Sequence, residues 1–418
     1  MESQPSPSRL ESWRRLADGG LSDLVEAAAV VVAQGVTPAG VSGLKKRFPR
    51  TPVFEALELA ESRSRAVHKF PRPDLMLMDR SGLEQATAAE VSHWKAGRFG
   101  ALPVLDLCSG IGGDAMGFAR RGPCVAVDRD PVRALMTAQN AEVETRVAAV
   151  EDCPIDLPLV HLDPARRDEA AGRRSWRIED LQPGIETIRS VVDAADGGAV
   201  KLGPGFPTRQ IELHPDQSVS VVAYRGRLVQ AVVWTGTLAN PEPAEAVDLP
   251  SGHVYRGTPS DLVVQARDIE PGQVLVEFHP AIERLGLSGT LLEAHGEVVD
   301  WREPAPGLGL VTGPPPSGGV PSPLRRWCRM HRVRAVCGAR IEDVQARIRD
   351  LPEADARRVV VRTRAKAVDA DGWTRILNPG SVSNERAPIE VFGLRIGNRK
   401  VSIVCLGDDE GPIYESAS

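Results

Sequence analysis

The stretch Pro103–Asp128, PVLDLCSGIGGDAMGFARRGPCVAVD, decides how the 418-residue chain is read. Val104 to Leu107 is a short apolar run of the buried-strand type, and Ser109 to Gly113 is a glycine-rich turn. Asp114 to Arg121 has helical spacing, with Met116, Phe118 and Ala119 on or near one face. Val125 to Val127 is a second buried strand, closed by an acid, Asp128. Strand, glycine turn, helix, strand and acid together form the opening of a nucleotide-binding βαβ unit.

Two cofactor classes fit that outline. Gly110, Gly112 and Ala115 meet the G-x-G-x-x-[GA] pattern, and Asp128 stands at the spacing of a ribose-binding acid. A dinucleotide, and with it an oxidoreductase, therefore fits. Asp106 argues against it. Its carboxylate precedes the glycine turn, where a pyrophosphate would lie, and like charges there repel. S-adenosylmethionine has no phosphate, and its ammonium and sulfonium both suit a carboxylate at that place. The reading favours this methyl donor, with Asp106, Cys108, Gly110, Gly112 and Asp128 around it. A glycine-rich turn without a ligand is the plainer alternative, but strand, turn, helix and terminal acid all coincide here.

Working outward, Pro131 to Glu142 has helical spacing, and Arg146 to Val150 reads as a third strand followed by Glu151-Asp152. Leu159 to Leu162 is a fourth strand ending in Asp163-Pro164. Glu179 to Val192 is a helix and Ala199 to Leu202 a fifth strand. Val219 to Tyr224 and Val229 to Thr235, joined by Arg-Gly-Arg, read as an antiparallel hairpin. The alternation predicts an α/β fold over 101–240: a doubly wound, Rossmann-like parallel sheet with an antiparallel terminal hairpin. A helical region, 1–100, precedes it. There Thr37-Pro38 and Thr51-Pro52 each read as an N-cap with proline at the first helical position, and Ser81 to Arg98 as one helix. Residues 236–260, rich in Pro, Gly and acid, read as a linker to a smaller α+β domain at 261–418. In that domain Leu324 to Arg349 is expected to hold helical stretches, and Val391 to Ile396 to pair with Val401 to Leu406.

The chemistry-bearing positions follow from this layout. Asp163 and Pro164 end a fourth parallel strand, beside the crevice where such sheets bind ligands. A carboxylate there accepts hydrogen bonds from an exocyclic amine and aims the nitrogen lone pair at a methyl group, so its catalytic part is positioning. Asp-Pro also starts ordinary turns. Asp152, after the third strand, reaches an adenine edge on the same logic, with Glu151 an equal competitor. Arg166, Arg167, Arg173, Arg174 and Arg177 crowd the loop after Asp163, with Trp176 as an aromatic that could stack on a base. They read equally as phosphate contacts or as a solvated loop.

The whole chain carries a formal charge of −5, which names no partner. The distribution says more. Residues 321–366 hold 13 Lys+Arg against 5 Asp+Glu, a local +8 in a chain otherwise at −13. That asymmetry is the footprint of a polyanion-binding module, with Arg325, Arg326, Arg329 and Arg332 as its centre and RNA as the expected partner. An arginine-rich solvated helix is the bland alternative. Six scattered cysteines form neither a disulfide framework nor a metal site. No run approaches the roughly 20 apolar residues of a membrane span, and the opening MESQPSPSRLESWRR lacks a signal peptide's apolar core. A cytoplasmic location is expected.

With these residues in hand, the chain resembles bacterial class I S-adenosylmethionine-dependent methyltransferases that carry a THUMP-like C-terminal domain. The resemblance lies in LEQAT (83–87), DLCSGIGGD (106–114), LDPARR (162–167), VVAYRGRLVQAVVWTG (221–236) and VEFHPAIERLGL (276–287). The glycine turn and LEQAT are also similar to the cap-guanine N2 methyltransferases, where an equivalent helix contributes to the cofactor pocket. That likeness implies that Gln85, Ala86 and Thr87 touch the donor. The THUMP-like resemblance implies structured RNA as the substrate, and methylation of a base nitrogen there is the leading reading. The sequence departs from the [DN]-P-P-[YFW] pattern of base N-methyltransferases, with Ala165 and Arg166 at its last two positions. Two alternatives stay open: a non-catalytic donor-binding RNA module, and a methyltransferase for small molecules or proteins.

Overall fold

The computed structural model describes residues 8–166, 178–210, 212–265, 268–295, 300–316, 322–352, 357–364, 366–379 and 387–407. The chain divides into two compact units. The first comprises Met1–Phe206, Glu212–Ser220 and Gln230–Pro241; the second comprises Pro207–Ile211, Val221–Val229 and Glu242–Ser418.

The first unit opens with α1 (Arg9–Ala17), α2 (Ser22–Ala33), α3 (Pro38–Arg47), α4 (Val53–Arg65), α5 (Arg80–Gln85) and α6 (Ala89–Phe99). Trp13, Leu24, Ala28, Leu44 and Leu59 form their core, which continues into Met78, Ile111 and Met136. Thr37 caps α3 as expected, accepting from the Gly40 amide at 3.2 Å. Thr51 does not cap α4. Its hydroxyl donates to the Phe48 carbonyl at 2.7 Å, at the end of the preceding helix, and Pro52 stands at the N-cap. The single helix expected over Ser81–Arg98 is two, because the backbone turns extended at Ala86 and Ala88.

A sheet follows, with β1 (Val104–Leu107), β2 (Cys124–Asp128), β3 (Glu144–Val147), β4 (Leu159–Leu162), a two-stranded ribbon of β5 (Ala165–Arg166) and β6 (Leu181–Gln182), β7 (Gly197–Leu202), β8 (Gln217–Tyr224), β9 (Arg227–Gly236), β10 (Ala244–Leu249) and β11 (His253–Gly257); of these, β10, β11 and the hairpin end of β8 and β9 belong to the second unit. Helices α7 (Ala115–Ala119), α8 (Pro131–Ala141) and α9 (Ile185–Asp193) connect the parallel strands. The nine-stranded order is β11-β10-β8-β9-β7-β4-β1-β2-β3. β1 pairs in parallel with both β2 and β4, and β7 with β4, whereas β9 runs antiparallel to β7. All four residues of β1 are buried, as a central strand covered on both faces requires. The doubly wound, Rossmann-like sheet with its antiparallel hairpin is therefore present. The hairpin turn has positive φ at both Arg225 (51°) and Gly226 (73°), the geometry that matches strand twist. The stretch expected to be a linker instead forms β10 and β11. Ala244, Ala246 and Val247 are fully buried, and the acids within the strand, Glu245 and Asp248, are buried beside them, Glu245 paired with Arg256 across the ladder.

The second unit has a six-stranded sheet, order β13-β12-β14-β17-β16-β15. Its strands are β12 (Val274–Phe278), β13 (Leu310–Gly313), β14 (Cys328–Gly338), β15 (Val359–Thr363), β16 (Ile389–Ile396) and β17 (Arg399–Gly407). Its helices are α10 (Pro280–Leu285), α11 (Ser288–Glu293), α12 (Ser322–Trp327), α13 (Ile341–Arg349) and α14 (Ala370–Leu377). β16 and β17 pair as expected, with Phe392 opposite Ile403. Ile403 and Cys405 face one apolar cluster, while Val404 and Leu406 face another that includes Val344 of α13. The helical expectation for Leu324–Arg349 holds at its two ends and fails in the middle. There Cys328, Met330 and His331 are all buried, as a strand between β12 and β17 demands. Among the described residues no helix is long and apolar enough to cross a membrane.

Gly117 gives a test of the packing between α6 and α7. A Cβ there would lie 2.8 Å from the Ser92 carbonyl oxygen, a backbone atom. Helix propensity alone favours Ala over Gly by about 1 kcal/mol. The clash should reverse that sign, so Gly117→Ala should destabilise by about 1–3 kcal/mol in urea unfolding.

Candidate active site

The glycine turn sits at the carboxyl ends of β1 and β2. Gly110 and Gly112 have φ of 60° and 85°, and Cys108 takes 61° despite its side chain. The Asp128 carboxylate organises this turn, one oxygen accepting from the Gly110 amide and the other from the Asp130 amide, each at 2.9 Å. Burial nevertheless pushes its pKa up, against those hydrogen bonds. Two residues that sequence reasoning passed over complete the support. Thr137 of α8 donates to the Gly110 carbonyl at 2.9 Å, and Asn140 donates to the carbonyls of Ile111 and Leu77 at 2.8 Å each.

The LEQAT residues are brought to the turn. A Cβ on Gly113 would lie 2.9 Å from the Thr87 nitrogen and 3.3 Å from the Ala86 Cβ, so only glycine admits that backbone. The Thr87 hydroxyl donates to Asp114 at 2.7 Å, and the Gln85 carbonyl accepts from Lys201 at 3.4 Å. Thr87 is buried and Gln85 exposed.

Beneath the turn lies a buried ionic chain. Asp106 Oδ1 is 2.6 Å from His161 Nδ1; His161 Nε2 is 3.1 Å from Lys95 Nζ; Lys95 Nζ is 2.9 Å from Asp114 Oδ1. A neutral imidazole with its proton on Nδ1 satisfies both contacts, donating to Asp106 and accepting from the ammonium. Lys95 and His161 are fully buried, and His161 packs against Phe118 and Phe99 with ring centroids 5.2 and 6.5 Å away. Burial pushes the Lys95 pKa down and the Asp106 pKa up. Burial alone would raise Asp114 as well, but the Lys95 ammonium outweighs it and holds the carboxyl low. His161 and Lys95 were missing from the sequence-derived site. The available signal was a lone histidine within the apolar β4 and a lysine within the apolar face of α6.

Asp163 follows β4 at the same edge. Its Oδ2 forms a 2.5 Å ion pair with Lys201, at the end of β7. Its Oδ1 makes no hydrogen bond among the described residues. The ion pair outweighs the burial of Lys201 and raises its pKa. Lys69 donates to the Leu83 carbonyl at 2.6 Å; burial first, then the neighbouring Lys201 charge, brings its pKa down to about 8. Pro164 is buried. Asp152 closes a short 3-10 turn after β3 and is exposed. Arg167, Arg173, Arg174, Trp176 and Arg177 lie outside the described residues. Arg325 and Arg326 lie on α12, while Arg329 and Arg332 alternate to opposite faces of β14, so the four arginines do not form one patch. Among the described residues no group of His, Cys, Asp and Glu is placed to hold a metal.

S-adenosylmethionine fits these residues on one observation above all. Asp106 Oδ2 is buried and has no hydrogen-bond partner among the described residues. A buried, unpaired acceptor below an open glycine turn calls for a donor or a cation, and a pyrophosphate supplies neither.

No family model matches the chain, and no curated protein matches it by sequence. Solved structures do. A candidate methyltransferase from Porphyromonas gingivalis W83 is 17% identical with a TM-score of 0.67, over 93% of this chain and 98% of that one. An rRNA methylase from Streptococcus thermophilus (12% identity, TM-score 0.26) matches 35% of this chain and 93% of its own. Magnesium protoporphyrin IX methyltransferase from Synechocystis PCC 6803, with bound SAM, matches 50% and 97% (10% identity, TM-score 0.26). The first likeness shows the fold; the other two are too distant to add to it.

Two outcomes test this geometry. Lys95→Met leaves Asp114 buried and uncompensated, and should cost about 3–5 kcal/mol in urea unfolding, with part of the loss recovered in Lys95→Met/Asp114→Asn. Side-chain NMR of the lysines should find a titration with its midpoint near pH 8, absent in Lys69→Arg.

Proposed function

We propose that the first unit is an S-adenosylmethionine-dependent methyltransferase whose acceptor is a base nitrogen of structured RNA. The observation that carries the cofactor is the unpaired, buried oxygen of Asp106 beneath the glycine turn. When bound, the cofactor supplies an electrophilic methyl group on a sulfonium. Asp106 receives its ammonium. The backbone of Cys108, Gly110 and Gly112, held by Asp128, lines its path, with Gln85, Ala86 and Thr87 alongside. Asp128 also offers its remaining lone pairs to a ribose, and Asp152 reaches toward the adenine.

Asp163 is the acceptor-orienting residue. Lys201 ties down one oxygen, so the carboxylate cannot swing, and the other oxygen is left to accept from an amine. An amine held this way presents its lone pair in one direction, and transfer is then a matter of alignment. Pro164 restricts the backbone that carries it. Arg166 stands where an aromatic stacking residue is usual, which counts against planar stacking on the acceptor base. The family resemblance implies a THUMP-like module in the second unit, and its charge, +8 over 321–366, supports RNA as the partner. All six cysteines are free, which supports a reducing, cytoplasmic setting.

Calorimetry should show S-adenosylmethionine binding and little affinity for NAD; the reverse would overturn the cofactor class. Asp128→Ala should weaken donor binding by roughly 1–3 kcal/mol. Asp163→Ala should keep donor affinity within a few-fold and remove most methyl transfer to total RNA, read by nucleoside analysis. Normal transfer by that variant would rule out its assignment.

A further inference from the structure

A cavity of about 670 Å³ opens entirely within the second unit, and five arginines line it: Arg209, Arg284, Arg329, Arg362 and Arg364. Two carboxylates, Glu277 and Glu283, share the lining. Carboxylates grip several of the guanidinium groups. Arg362 Nε donates to Glu390 at 2.5 Å. Arg364 reaches Glu277 at 3.3 Å and Glu283 at 3.5 Å. Arg209 pairs with Asp261. Glu277 lies directly across the β12–β14 ladder from Arg329. Counting Glu390 and Asp261 as well, the basic groups still exceed the acidic ones.

The half-buried Arg284 breaks the pattern, since its side chain has no hydrogen bond or ion pair among the described residues. Its position is nevertheless set. It belongs to α10, and its carbonyl accepts from Thr208 at 2.8 Å. Further along the same face of β14 as Arg329, His331 is buried with no hydrogen bond to either ring nitrogen among the described residues. Arg284, Arg329, Arg362 and Arg364 are themselves half-buried, so charge interactions on them are stronger than at an open surface. A guanidinium held along one edge by a carboxylate keeps its other N–H groups in a fixed fork, the geometry that grips phosphate. The one aromatic in the lining, Phe278, is almost wholly buried and offers no face to a base. Recognition in this cavity is therefore of phosphate and not of base.

We propose that this cavity is a phosphate-binding site, taking the phosphate of an RNA strand or of a free nucleotide on Arg209, Arg284, Arg329, Arg362 and Arg364. The site stands on the second unit alone; only the RNA source rests on the reading of the chain as an RNA methyltransferase.

The test uses the full-length chain and two variants, Arg209→Gln/Arg284→Gln and Glu283→Gln. Calorimetry at constant ionic strength measures inorganic pyrophosphate and AMP, and fluorescence anisotropy measures a 16-nucleotide mixed-sequence RNA over a salt series. The double variant should weaken pyrophosphate at least tenfold, and Glu283→Gln should tighten it several-fold. If RNA is the source, the double variant also flattens the slope of log K against log salt by about 1.4, at roughly 0.7 per lost single-strand contact. If pyrophosphate and AMP weaken while RNA binding and its slope stay unchanged, the site is a nucleotide site. If neither variant moves pyrophosphate, the proposal is overturned. Donor calorimetry on the same samples reads the methyltransferase assignment separately.

Discussion

The first unit is built over one buried chain of charge, from Asp106 through His161 and Lys95 to Asp114. Each member comes from a different part of the chain: β1, β4, α6 and the entry to α7. A buried ionic chain of this kind is weak evidence for net stability, because desolvation offsets much of its attraction. Its consequence is positional. None of the four groups can move without leaving another unpaired in a dry interior, so α6 and the glycine turn are held in register with the carboxyl ends of β1 and β4. Asp106 leaves one oxygen out of the chain, and that oxygen defines the candidate cofactor site.

The same logic recurs at Asp163. An acid at the mouth of a sheet is free to rotate unless something restrains it. Lys201 supplies the restraint from the neighbouring strand β7, and its own ammonium is held charged by the pair. The Gln85 carbonyl accepts from the same lysine, which links the end of α5 to the Asp163 carboxylate. Gln85 and Asp163 thus share one cation. Nearby, the Lys69 amine is desolvated enough to sit near its titration point at neutral to mildly alkaline pH.

In the second unit, charge read along the sequence and charge arranged in space differ. Along the sequence, the +8 segment reads as one basic module with helical stretches. The fold breaks it into a short helix, a long strand and a second helix, and the strand turns Arg329 and Arg332 to opposite faces. Arg329 then joins arginines from the 3-10 turn at Thr208–Gln210, from α10 and from β15 and its end, which are distant in sequence.

The sequence by itself determined the sheet. Apolar runs of four or five residues, spaced by helical periods and closed by acids, admit little but a parallel α/β sheet, and the glycine turn with Asp128 is a local device. β1, β2, β4 and the terminal hairpin were legible for that reason. Thr51, the break after Gln85, the strand at Cys328–Gly338 and the pair β10–β11 were not. In each, the decisive partner lies far along the chain or is a backbone atom: the Phe48 carbonyl, the backbone of Gly113, the flanking strands β12 and β17. The site divides in the same way. Asp106, Asp128 and Asp163 could be named from motif and strand end, whereas His161, Lys95, Lys201, Thr137 and Asn140 acquire their roles only through contacts across 19 to 116 residues of sequence. Local periodicity reports which face of an element is buried; it does not report what that face meets, and the pairing of buried charges is decided only there.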